Sequence, residues 1–221
     1  MTTDFNRTSQ PQPAELRPVD EHANLITHGL GLLLSVIAST VLMTLVVNNP
    51  QSINAVACAI YCGSLVSLYA ASTLSHTFYD LAWRRFFRTI DQVCIYLLIA
   101  GSFTPFAVKF LWHGWWPNLL TVMWGLAIFG VLLVLVMRNL TPTAKLTYGL
   151  LGWLPAMSLK ELVDVAPVEV IVWIVAGGFF YSVGSVFLRF DQRVRYFHAL
   201  WHTFVVAGSI CHYIAILLSV V

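Results

Sequence analysis

Seven apolar runs dominate the chain, covering roughly residues 25–47, 53–78, 90–110, 118–137, 143–163, 167–188 and 197–220. Each reaches about the 20 residues a helix needs to cross the hydrocarbon core, and each is far longer than the ~10 residues of a barrel strand. Within lipid every backbone polar group must find a partner inside the protein, which leaves helices or closed barrels. The run lengths select helices. Short turns with the usual punctuation join them: NNPQS at 48–52, WWPN at 115–118, RNLTPT at 138–143 and DVAP at 164–167. The pattern therefore predicts an all-α fold, an up-and-down bundle of seven transmembrane helices over residues 21–221. The fifth run is the most polar at its end, where Lys160, Glu161 and Asp164 crowd together. Residues 1–20 contain Pro11, Pro13 and Pro18 and no apolar core. They read as a flexible cytoplasmic tail and not as a signal peptide.

Composition agrees with this pattern. Of 221 residues, 58% are hydrophobic and 10% charged, against about 25% charged in soluble domains. The net charge of +2 and the lack of a basic tract argue against nucleic-acid binding. The placement of lysine and arginine is more informative. Arg7, Arg17, Arg84, Arg85, Arg88, Arg138, Lys145, Arg189, Arg193 and Arg195 fall on one side of the predicted bundle, and only Lys109 and Lys160 on the other. That asymmetry predicts a cytoplasmic amino terminus and a carboxyl terminus outside. Arg84, Arg85 and Arg88 are expected to fix this topology and to touch anionic headgroups. Trp112, Trp115 and Trp116 then fall at the outer interface. Cys58, Cys62, Cys94 and Cys211 all lie in apolar runs without a CxxC pair and read as small buried residues.

Ionisable groups inside spans are costly and are candidates for function. The stretch FHALWHTF (197–204) places His198 and His202 four apart, on one helix face. Two imidazoles there make half of a zinc site. The predicted topology brings His76, near the end of the second span, to the same depth. His76, His198 and His202 form a His₃ set, the number of protein ligands in many catalytic zinc sites, where water takes the fourth position. His212 is ten residues beyond His202, ~15 Å along the helix, too far to share the ion. Asp91, at the predicted start of the third span, is suited to hold that water or take its proton. It can equally be an acid favoured in the first turn of a helix. Ser72 is four residues before His76 on the same face, facing either the site or the carbonyl four residues back. Glu21, Asn24 and His28 share a face of the first span, where they cap it and brace the site, or where His28 is a spare ligand. His22 and His113 fall in a tail and a loop and receive no role.

The segments ASTLSHTFY (71–79), RRFFRTIDQVCIYLLIAGSFTPF (84–106) and FHALWHTFVVAGSICHY (197–213) closely resemble the bacterial hemolysin III proteins, a branch of the progestin and adiponectin receptor family. EHANLITH (21–28) resembles that family's first motif. One departure is Gln92, where many relatives have histidine. The resemblance implies seven spans with a cytoplasmic amino terminus. It also implies zinc held by His76, His198 and His202, with Asp91 and Ser72 beside the metal's water. The wider superfamily includes alkaline ceramidases, and family members are tied to membrane-lipid homeostasis.

Three functions follow as expectations. The first is a zinc-dependent hydrolase of lipid amides or esters within the membrane, with Asp91 and Ser72 as catalytic residues and a membrane lipid as substrate or ligand. The second is a receptor or sensor in which zinc is structural. The third is a cytolysin, which the seven spans and the lack of a secretion signal disfavour. The expected location is a bacterial inner membrane.

Overall fold

The computed structural model describes residues 18–49, 55–137 and 142–220. All regular structure among them is helical. The elements are α1 (Pro18–Asn48), α2 (Ala55–Thr77), α3 (Leu81–Phe110), α4 (Pro117–Met137), α5 (Pro142–Trp153), α6 (Leu159–Val165), α7 (Val168–Phe190) and α8 (Phe197–Val220). A 3₁₀ segment, Leu154–Ser158, separates α5 from α6. Six of these helices, α1–α4, α7 and α8, are long and apolar enough to cross a membrane. Pro18, Pro117 and Pro142 each open a helix, where the missing N–H has no intrahelical acceptor to lose.

Three differences from the sequence pattern matter for the site. The fifth apolar run is not one continuous helix. Pro155 cannot donate to the ladder, the backbone tightens into the 3₁₀ segment, and the seven-residue α6 restarts at Leu159. Lys160, Glu161 and Asp164 thereby fall on α6, and His113, given no role above, pairs through Nε2 with Glu161 at 2.8 Å.

The second difference is the start of α3. It begins at Leu81, well before the predicted residue 90, because the Asp80 side chain accepts from the backbone N–H groups of Ala82 and Trp83. Arg84, Arg85 and Arg88 therefore ride on a helix and not in a loop. Asp91 lies about three turns in, so the first-turn explanation of this acid fails.

The third is the amino-terminal boundary. Helix α1 already runs at Pro18, and Asp20 is buried, accepting from Arg195 Nε at 3.0 Å. The predicted tail over residues 1–17 lies outside the described residues.

Helices α1, α2, α3 and α8 close a ring, each packing on two of the others, while α4 and α5 pack on α3 and α7 packs on α8. Two apolar clusters fill the bundle. One, with Leu42, Leu65, Tyr69 and Ile216, lies among α1, α2 and α8. The other, with Phe103, Leu119, Met123 and Leu151, lies among α3, α4 and α5. The four cysteines are free and buried, as expected.

The buried stripe of α1 explains how a site forms at one end of the first ring. Its inward positions are Glu21, Asn24, His28, Gly31, Ser35, Leu42 and Val46, spaced by threes, fours and a seven. The stripe is polar for its first two turns and becomes apolar further along. At Gly31 the Tyr69 ring sits so close that a Cβ would be 2.6 Å from it, so only glycine lets α1 approach α2 here.

Candidate metal centre

The ends of α2 and α8 meet where the helical period points His76, His198 and His202 inward. Each offers one ring nitrogen, and the three nitrogens lie within 4.8 Å of one another. Ring centroids are 5.5 Å apart for His76–His198, 5.2 Å for His76–His202 and 4.4 Å for His198–His202. Three imidazoles directing nitrogen at one tetrahedral ion, with Zn–N of 2.0–2.1 Å, have centroids about 5 Å apart. The observed triangle fits that requirement.

The partners of the other ring nitrogens decide which atoms are offered. His76 Nδ1 is 2.7 Å from Glu21 Oε2, and His198 Nδ1 is 3.1 Å from Asp191 Oδ2. A carboxylate only accepts, so both Nδ1 atoms carry the proton and both Nε2 atoms keep a lone pair. His202 Nδ1 is 3.4 Å from the Thr27 hydroxyl. That hydroxyl already donates to the backbone carbonyls of Ala23 and Asn24, both at 2.9 Å, so it accepts from His202. All three histidines are thus held in the tautomer that leaves Nε2 as the ligand atom. His76 Nε2 is buried with no hydrogen-bond partner among the described residues. A histidine anchored on one nitrogen and open on the other is the usual arrangement of a metal ligand.

Glu21 does more than orient His76. Its other oxygen pairs with Arg84, and Arg88 lies 3.7 Å away. Arg84 is buried, so its expected contact with lipid headgroups is replaced by an ion pair that neutralises Glu21. These contacts fit the bracing role expected of Glu21. His28 is not brought into the ligand triangle. Its ring packs on His202 with centroids 3.6 Å apart, too close for both rings to address one ion.

Asp91 reaches the cluster from α3, facing His198 and the Ser72 side chain. Ser72 is fully buried, and its hydroxyl makes no hydrogen bond to the carbonyl one turn back. Asp91 and His198 both keep accessible surface, whereas His76 and His202 are buried. Spacing and depth point to His76, His198, His202, Asp91, Ser72, Glu21 and His28. They do not point to Asp191, Thr27 or Arg84. Asp191, a carboxylate seven residues before His198 at the end of α7, is the one of these with a visible signal.

Comparison with known proteins agrees with the segments quoted above. The model of the family "Haemolysin-III related" matches residues 16–213. The chain belongs to that family. Among curated relatives, Hemolysin-3 of Bacillus cereus is 34% identical over 204 residues, covering 91% of this chain and 92% of the relative. The Hemolysin-3 homolog of Bacillus subtilis is 32% identical over 199 residues, covering 90% and 93%. The human monocyte to macrophage differentiation factor is 26% identical over 216 residues, covering 89% and 83%. No solved structure matches this chain. Family membership and six membrane-length helices make it a multi-pass integral membrane protein.

Proposed function

We propose that this hemolysin III relative is a zinc protein of a bacterial inner membrane that hydrolyses an amide or ester of a membrane lipid. The observation that carries the reading is the set of three Nε2 atoms, each freed by a partner on Nδ1, beside a carboxylate that stands outside the histidine triangle. A purely structural ion needs the first and not the second. A bound zinc ion supplies Lewis acidity, polarising a carbonyl and acidifying water to a pKa of about 7. Asp91 takes a proton from the attacking water as its oxygen adds to the carbonyl carbon. It passes that proton to the amine or alcohol as the C–N or C–O bond breaks. The buried Ser72 hydroxyl, unpartnered among the described residues, faces Asp91 and is placed to donate to that carboxylate or to the substrate carbonyl. Arg84 keeps Glu21 ionised so that Glu21 can hold His76.

Seven crossings, with the amino terminus in the cytoplasm, belong to the same proposal. Parity supports the count. His198 and His202 lie at the start of α8, and Asp91 lies near the start of α3, at the same end of the bundle. An odd number of crossings between the end of α3 and the start of α8 fits this placement. Helices α4 and α7 supply two crossings, so the broken segment 142–165 supplies the third. The count of basic residues supports the orientation.

The decisive experiment is metal analysis of purified wild type and His76→Ala, followed by turnover of a lipid-amide and lipid-ester panel by wild type and Asp91→Asn. One zinc per wild-type chain, none in His76→Ala, and turnover lost in Asp91→Asn with zinc retained is the expected result. Zinc-replete protein inert on the whole panel would remove the hydrolase. The name hemolysin borne by the Bacillus relatives favours a second reading, membrane lysis. Release of dye from liposomes by the purified protein tests it.

A further inference from the structure

His28 is the one histidine at the centre without an assigned task. It sits on the buried stripe of α1, only 3% exposed, and both ring nitrogens are enclosed with no hydrogen-bond partner among the described residues. Leaving two imidazole nitrogens unsatisfied is costly, and leucine would fill the space without that cost. The neighbouring rings are His202, at 3.6 Å between centroids, and Tyr69, edge-on at 5.3 Å. As shown above, the first distance is one of ring packing and not of shared coordination.

The surroundings of the centre are asymmetric. Asp91 and Ser72 approach on the His198 side, from α3 and α2. His28 approaches on the His202 side, from α1. Hydrolysis needs two polar functions: one that manages the water's proton and one that donates to the carbonyl oxygen as negative charge develops there. The carboxylate serves the first and cannot serve the second. A neutral imidazole has one N–H donor and one acceptor, which suits a carbonyl oxygen with an adjacent amide N–H or hydroxyl.

We propose that His28 contacts the substrate directly, donating its ring N–H to the carbonyl oxygen of a lipid amide or ester held beside His202. This rests on the metal reading above. It predicts that His28 is dispensable for metal uptake and needed for binding a carbonyl-bearing ligand at the loaded centre.

Cobalt(II) replaces zinc as a visible reporter, and acetohydroxamate is a small carbonyl-bearing probe. Titrating acetohydroxamate into the cobalt-loaded protein and following the visible bands should give about tenfold weaker binding for His28→Leu than for wild type. His28→Gln, which restores an amide donor, should recover most of the loss. Cobalt stoichiometry should be equal in all three. Unchanged hydroxamate affinity in His28→Leu overturns the inference. So does loss of cobalt from a folded His28→Leu, which would make His28 a ligand. A measurement on wild type guards against a misfolded variant. In zinc-loaded protein with ¹⁵N-labelled histidine, acetohydroxamate should shift the His28 ring resonances, and their failure to move sinks the idea. If wild type takes up no cobalt, the metal reading itself has failed and the inference falls with it. Cobalt uptake with unchanged hydroxamate binding removes the inference alone.

Discussion

Helix α8 carries two histidines with opposite surroundings. His202 and His212 are ten residues apart on one helix, ~15 Å along its axis. His202 has three further imidazoles within about 5 Å, those of His28, His198 and His76, and a hydroxyl on Nδ1. His212 has a Tyr181 ring at 5.4 Å, a Phe106 ring at 6.4 Å, and a backbone carbonyl, that of Ile174, 3.3 Å from Nε2. Nothing in the helix itself separates them, since both are imidazoles in an apolar sequence. The difference lies in what neighbouring helices bring. At one end four helices converge with side chains that fix the tautomer and collect nitrogens. At the other, α7 offers its backbone and space, and the imidazole is used as a packed polar wedge.

The largest effect should come from swapping the same change between the two positions. His202→Ala should weaken zinc binding by more than about a hundredfold, leaving purified protein with little metal. His212→Ala should keep one zinc per chain. Equal loss from both would mean that the triangle around His202 is not the centre. A chelator sharpens the same contrast. An ion present at 100 times its dissociation constant stabilises by ~2.7 kcal/mol. Chelation should therefore lower Tm in detergent for wild type and His212→Ala alike, and leave His202→Ala unmoved.

Next come the groups on the far nitrogens. Glu21→Gln and Asp191→Asn should each lower zinc affinity by about 10–100-fold without removing a ligand. Glu21→Gln should have the greater effect, because it also removes the charge paired with the buried Arg84. Among the described residues no such carboxylate supports His212. If Asp191→Asn binds zinc as wild type does, the ordering role inferred from the 3.1 Å contact is wrong.

These partners also show why part of the centre was legible and part was not. His198 and His202, Ser72 and His76, and Glu21, Asn24 and His28 are pairs or triples on single helices, where a period of 3.6 converts spacing into a shared face. Counting basic residues then placed those faces at one end of the bundle. Thr27 and Arg84 act across helices, and no period links them to His202 or Glu21, while Asp191 is close to His198 in sequence but separated from it by the turn between α7 and α8. The break in the fifth run had a visible cause in Pro155, but apolar length alone reads through it. The long first turns of α3 were hidden because Arg84, Arg85 and Arg88 looked like a loop. Only the Asp80 cap shows that the helix begins before them.

The smallest effect tests the His212 half of the comparison. The α7 backbone at Gly177 leaves room for the His212 ring, which a Cβ there would strike. Gly177→Ala should therefore destabilise the protein by about 1–3 kcal/mol through overpacking. Zinc affinity should not change, because the wedge and the centre share α8 but no partner. In Gly177→Ala combined with His212→Ala the ring is gone and the new methyl has space. The double variant should then recover stability relative to the sum of the single changes. That non-additivity in Tm, at constant zinc content, is what a packing role requires. Simple additivity would mean that the ring does not depend on the Gly177 space. Loss of zinc from either variant would show that the outer half of α8 sets the position of His202, and the two histidines would no longer be separable.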